Sequence, residues 1–286
     1  MVPPEYGTAT REHHLEKVIT VQTVAFDYAE TGSGPALLFL PGSFGTGTGW
    51  KAVMVHLGDG YRMVTTSLLG YGSTPDIRPD GNATMAQQVD LIDRVIDRIG
   101  TPPHVAGHSY GGLSALVHAL TGRHRPASLL LVEANPLGLL RASGELEHYR
   151  MFESMTGPYF ADFTRGDAEA ARHVIDFYGG PGTFDSMPPK VRSYIVATTP
   201  VNVRDWSSGT PFEPSKETLQ SIDIPTTVVR GGSSHPAMRR IAELLHDSIP
   251  EAQLVTVEGG SHFLLSSHPA EIAALVRRQV DGPPAT

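Results

Sequence analysis

The sequence predicts an α/β fold, a mostly parallel sheet with helices on both faces, and three observations carry that expectation. Strand-sized apolar runs alternate with helix-compatible stretches along most of the chain. Glycine- and proline-rich turns punctuate them. One long segment in the second half loses the strand signal and is rich in aromatic residues instead.

Residues 18–21 and 24–30 read as two early strands in a hairpin, and Gly32-Ser33-Gly34 as a turn before the apolar strand 36–40. Strand, loop and helix then repeat: a strand at 62–66, a helix from about 84 to 100, a strand at 104–106, a helix from about 111 to 121, and a strand at 128–133. The pattern resumes with a strand at 226–230, a helix from about 236 to 247, a strand at 253–257 and a final helix from about 269 to 280. Strands that alternate with helices must cross over between pairings, which gives a parallel sheet. A structureless loop as long as residues 136–220 does not fit inside a compact domain, so that stretch is expected to be a helical cap inserted into a core of residues 1–135 and 221–286.

Composition excludes several functional classes. The 286 residues carry 22 Lys+Arg against 30 Asp+Glu, a net charge of −8, and no long basic block. A nucleic-acid partner is therefore not expected. With no cysteine in the chain, disulfides, thiolate metal sites and Cys nucleophiles are absent, which fits a reducing compartment. The apolar runs fall far short of the roughly 20 residues that cross a bilayer, and the first residues show no secretory signal, so a cytoplasmic protein with no membrane partner is expected. None of the 13 histidines joins a carboxylate at metal-ligand spacing, and no metal or other cofactor is expected.

Gly107-His108-Ser109-Tyr110-Gly111 follows an apolar strand and opens a helix-compatible run. This is the context in which a G-x-S-x-G turn lifts a serine out of a sheet as a nucleophile. A serine hydroxyl needs a base, and His262, after the last strand and before the last helix, is the best placed histidine by chain order.

With these motifs the chain resembles the α/β-hydrolase family. Leu40-Pro41-Gly42-Ser43-Phe44-Gly45 resembles the family's His-Gly-x loop, with Pro41 where many members have His. Ser67-Leu68-Leu69-Gly70-Tyr71-Gly72-Ser73 resembles its D-x-x-G-x-G-x-S stretch, with Ser67 in place of Asp, and Gly260-Ser261-His262-Phe263 resembles the histidine loop. The resemblance implies a mostly parallel eight-stranded sheet with the cap inserted after the sixth strand. It also implies an oxyanion hole from the Ser43 and Tyr110 amides, with Phe44 N–H as the alternative to Ser43.

The acid is the irregular part. Most relatives carry an Asp after the strand at 226–230, where this chain has Gly231-Gly232-Ser233-Ser234-His235-Pro236. Asp223 precedes that strand, at the opposite end of the sheet. Glu133 follows the neighbouring strand at the same edge as Ser109, and zearalenone lactonases resemble this chain there and in His262-Phe263 followed by Ser267-His268-Pro269. Glu133 is accordingly the expected acid, and a Ser-His dyad with Glu133 in a structural role is the alternative.

These features imply a metal-free serine hydrolase acting on a carboxylic ester or lactone, with aromatic macrolactones such as zearalenone in range. The aromatic-rich cap points to an apolar or aromatic small molecule, with Phe44, His108, Met155, Tyr159 and Trp206 as candidate pocket residues. Two alternatives remain: a carbon–carbon bond hydrolase on the same residues, and a ligand receptor without turnover. A homodimer is compatible with everything above.

Overall fold

The computed structural model describes residues 25–79 and 81–282. Seven strands form one sheet: β1 (Ala29–Thr31), β2 (Ala36–Leu40), β3 (Arg62–Thr65), β4 (His104–His108), β5 (Ser128–Val132), β6 (Thr226–Gly231) and β7 (Gln253–Val257). Their order is β1-β3-β2-β4-β5-β6-β7. Only β1 runs antiparallel to its neighbour, and the remaining pairings are parallel. The expected strand at 18–21 lies outside the described residues, as does residue 24, so the described sheet has seven strands where eight were expected.

Helices α1 (Lys51–Leu57), α2 (Met85–Ile99) and α3 (Tyr110–Thr121) cross between the first strands, and α10 (Pro236–Ser248), α11 (Leu264–Ser267) and α12 (Pro269–Asp281) follow β6 and β7. α1 is too short for a helical period to show in sequence, with only Val53 and Leu57 buried. α2 begins with the reciprocal cap of Thr84 and Gln87 and ends at Gly100, whose φ of 78° closes the helix in the left-handed region. β2 and β5 are buried at every position, as expected of strands covered on both faces.

Between β5 and β6 lie six helices: α4 (Gly138–Ala142), α5 (Leu146–Thr164), α6 (Arg172–Gly179), α7 (Thr183–Ser186), α8 (Pro189–Gly209) and α9 (Lys216–Gln220). Residues of α6 and α8 come beside Ser109 at the C-terminal edge of the sheet. Phe152, Tyr159 and Phe184 are fully buried among the six helices. No helix among the described residues is long and apolar enough to cross a membrane.

Ser67, which stands where relatives carry Asp, accepts a hydrogen bond from the Gly47 amide at 3.2 Å. The carboxylate missing there is supplied from β1's approach: Asp27 receives the Ser73 amide at 3.1 Å.

The elbow at the end of β4 depends on close main-chain approach. A Cβ on Gly107 would meet the Gly111 carbonyl carbon at 2.7 Å, and one on Gly111 would press into the Pro41 and Leu40 carbonyls. Those obstacles are backbone, which cannot rotate away. Gly111→Ala is expected to cost about 1–3 kcal/mol and to lower Tm by several degrees, read by calorimetric melting. An unchanged melt would show that the β2 loop yields without cost.

Candidate active site

The parallel register sets the site. His108 of β4 lies opposite Val132 of β5, so the residues that follow, Ser109 and Glu133, leave the sheet side by side at its C-terminal edge. Both are strained. Ser109 has φ 54° and Glu133 φ 49°, and with Phe44 (φ 60°) in the β2 loop they make three of the four described non-glycine residues in the left-handed region. Such conformations cost of order 1–3 kcal/mol each and persist where surrounding structure enforces them. Here the Ser109 amide is tied to the Val132 carbonyl at 2.9 Å and the Glu133 amide to the Val229 carbonyl at 2.8 Å.

His262, on the loop after β7, joins them. Its Nδ1 lies 3.0 Å from Glu133 Oε2 and its Nε2 lies 2.9 Å from Ser109 Oγ. A carboxylate only accepts, so Nδ1 carries the proton and Nε2 offers its lone pair to the serine hydroxyl. All three side chains are buried.

The loop after β6, where the family resemblance leads to an Asp being expected, carries donors to Glu133. Glu133 Oε1 accepts the Gly231 amide at 2.7 Å and the Ser234 hydroxyl at 2.7 Å. Burial alone would push the Glu133 carboxyl up, but the bonds from His262, Gly231 and Ser234 outweigh it and hold the carboxyl below its ordinary range. Asp223 sits on the surface, paired with Arg125 at 2.7 Å. His235 caps α10 and stacks on Phe177 with ring centroids 4.0 Å apart.

Two rings pack against the imidazole. Tyr178 of α6 stacks on His262 at 4.0 Å and 15°. His108 lies 5.0 Å from the same ring and donates from Nε2 to the His262 carbonyl at 2.8 Å. Burial, and then the neighbouring His262, depress the His108 imidazole to about 4, so it is neutral at neutral pH.

The β2 loop lies across the elbow. A Cβ on Gly42 would touch Ser109 Cβ at 3.0 Å. Tyr110 opens α3, so its amide has no intrahelical acceptor. The Phe44 amide faces the Tyr71 hydroxyl. The Ser43 hydroxyl donates to Asp205 Oδ2 of α8 at 2.6 Å, where Tyr71 also donates at 2.6 Å, and Arg78 donates to Oδ1 at 2.7 Å. Arg78 is itself buried and further held by Asp76 at 2.8 Å.

A cavity of about 270 Å³ opens above Ser109. Phe44, His108 and Trp206 line it together with Ser43, Ser109, Tyr110 and His262. Met155 and Tyr159 do not, which corrects the sequence expectation: both pack into the main apolar core, and the Tyr159 hydroxyl donates to Asn202 at 2.8 Å. In place of those two, α6 and α8 bring Tyr178, Asn202 and Asp205 to the wall. Sequence gave no signal for these three, because helical spacing shows which residues are apolar and not which turn faces the core. The Ser234 hydroxyl could have been anticipated once Glu133 was placed, since a buried carboxylate demands donors on both oxygens.

Comparison with known proteins agrees with this architecture. Residues 37–275 match the model of the alpha/beta hydrolase family, and the chain belongs to that family. A 2-succinyl-6-hydroxy-2,4-cyclohexadiene-1-carboxylate synthase of Yersinia pestis (strain Pestoides F) is 28% identical over 211 residues, covering 71% of this chain and 74% of the synthase. A solved enzyme that degrades N-acyl homoserine lactones superposes with a TM-score of 0.69 at 20% identity, over 88% of this chain and 95% of its own. A meta-cleavage product hydrolase from Pseudomonas fluorescens IP01 superposes with a TM-score of 0.63 at 20% identity, over 90% and 94%.

Two outcomes test the electrostatics. Between pH 6.5 and about 4 the unfolded chain takes up a proton at residue 108 that the folded protein refuses, so stability falls as pH falls through that window. The loss is about 3 kcal/mol, and His108→Gln should flatten that part of a urea-denaturation pH series. Asp205→Ala should destabilise by about 3 kcal/mol in the same assay by removing one of the two carboxylates that pair with buried Arg78. A change under 0.5 kcal/mol would mean that Asp76 alone satisfies the guanidinium.

Proposed function

We propose that the protein is a metal-free serine hydrolase that cleaves a neutral carboxylic ester or lactone through an acyl-enzyme on Ser109. The observation that carries this reading is the continuous hydrogen-bonded array from Glu133 through His262 to Ser109. Ser109 Oγ attacks the carbonyl carbon while His262 Nε2 takes its proton, and Glu133 fixes the tautomer and stabilises the imidazolium. Negative charge collects on the former carbonyl oxygen, where the Ser43 and Tyr110 amides are the donors at hand. Ser43 is preferred to Phe44 because the Phe44 amide faces Tyr71.

The tetrahedral intermediate collapses as the C–O bond to the leaving alcohol breaks, and His262 returns the proton to that oxygen. Water then attacks the acyl carbon with His262 again as base, releasing the acid and restoring Ser109.

The cavity limits the substrate. Its lining is mostly apolar and, among the described residues, includes no Lys or Arg. A substrate carboxylate entering it would lose its hydration without gaining a counter-charge. This argues against the chemistry of a synthase whose named product bears a carboxylate, and favours neutral esters and lactones, with aromatic macrolactones such as zearalenone within the class. An inserted cap over residues 136–220, with Trp206 on its longest helix, provides the apolar roof in this reading.

The test is pH-stat acid release from aryl esters, alkyl esters, small lactones and a resorcylic macrolactone. Ser109→Ala should abolish release. Glu133→Gln should lower kcat tens- to thousands-fold with little change in KM, since the acid orients the base more than it touches substrate. Full activity in Glu133→Gln would place the acid elsewhere. No release from any member by folded wild type would turn the reading towards carbon–carbon cleavage or a silent receptor.

A further inference from the structure

Asn202 projects from α8 into the cavity wall and is almost fully buried, at 2% exposure. Its Oδ1 accepts two hydrogen bonds, from the Tyr159 hydroxyl at 2.8 Å and from Trp206 Nε1 at 3.0 Å. An indole nitrogen can only donate, so the amide cannot be turned end for end without setting N–H against N–H. The carboxamide orientation is therefore dictated by chemistry, and the NH₂ end points away from both partners.

That NH₂ donates to no other described residue. Nor is it among the unpaired polar atoms sealed within protein, which include Asn135 Oδ1 and Trp50 Nε1. The open space beside it is the cavity. Several polar groups along the same wall are already engaged: the Ser43 hydroxyl and both Asp205 oxygens with one another and with Tyr71 and Arg78, and His108 Nε2 with the His262 carbonyl.

We infer that Asn202 is a substrate-reading residue whose amide N–H donates to an acceptor oxygen, a ketone or ether, in the body of the substrate away from the scissile carbonyl. The inference rests on the ester or lactone hydrolase reading for its substrate class. An empty donor aimed into an apolar cavity is costly unless a ligand fills it, and a site built this way rejects the analogue that lacks the oxygen. Tyr159 and Trp206 act here through Asn202, holding its orientation.

The experiment uses phenyl esters of straight-chain acids in which one ketone is walked along the acyl chain, each against its methylene parent. Binding is measured by calorimetry on Ser109→Ala, and hydrolysis on the protein with Ser109 intact. At one ketone position binding and kcat/KM should exceed the methylene parent's by on the order of tenfold. That preference should vanish in Asn202→Leu and, at pH 8, in the near-isosteric Asn202→Asp, which keeps an oxygen for Trp206 and Tyr159.

A wild type that binds no ketone ester better than its parent overturns the inference, as does a preference that survives in both variants. Binding preference without hydrolysis by wild type would instead overturn the hydrolase reading and leave the Asn202 donor standing.

Discussion

The register of β4 against β5 is the constraint from which the site follows. Because His108 faces Val132, the chain leaves both strands at the same height, and Ser109 and Glu133 emerge as neighbours. An acid on β5 is thereby as close to the serine as the sheet allows, and the histidine loop after β7 has to reach back across β6 to meet it. The two strained backbones, at φ 54° and 49°, are the local consequence. Each residue must turn sharply out of a buried strand, and each is held there by an amide bonded to the next strand.

Moving the acid from β6 to β5 changes what β6 must supply. A buried carboxylate that pairs with one imidazole still has an oxygen to satisfy, and desolvation would otherwise drive it to protonate. The loop after β6 answers with the Gly231 amide and the Ser234 hydroxyl. Gly231 also lies against the histidine loop: a Cβ there would strike the Gly260 main chain. The loop after β6 is thus donor-bearing, and the carboxylate it serves stands on the neighbouring strand.

The sheet and the hydrogen-bonded array of Ser109, His262 and Glu133 were legible in sequence because they depend on local signals. Strand-sized apolar runs, the glycines around Ser109 and the order of Glu133 and His262 along the chain all survive without knowledge of packing. The pocket wall was not legible in the same way. Met155 and Tyr159 have the composition of pocket residues but the position of core, whereas Asn202 and Asp205 look like ordinary polar helix residues and are almost wholly buried. What distinguishes them is which face of α5 and α8 meets the sheet, and α8 carries polar residues on its buried side, at Thr199, Asn202, Asp205 and Ser208, so an amphipathic reading points the wrong way.

That buried polar stripe explains how the helices above the sheet and the loop beneath them are held in one geometry. Asp205 gathers the Ser43 hydroxyl from the β2 loop, Tyr71 and Arg78 from the loop after β3, and itself belongs to α8. One turn further on, Ser208 meets the Tyr110 hydroxyl of α3 at 2.6 Å. The two residues whose amides face the proposed oxyanion are therefore the two whose side chains are tied to α8. A hydroxyl hydrogen-bonded to a fixed carboxylate restrains its own backbone amide, and donors fixed before charge develops need no reorganisation when it does. Desolvating a charge cluster of this kind is unfavourable unless every member is paired, and here each pairing of Asp205 crosses from one element to another. Its effect is rigidity at Ser43 and Tyr110, so that α8 lines the pocket and braces the two proposed oxyanion donors through the same few side chains.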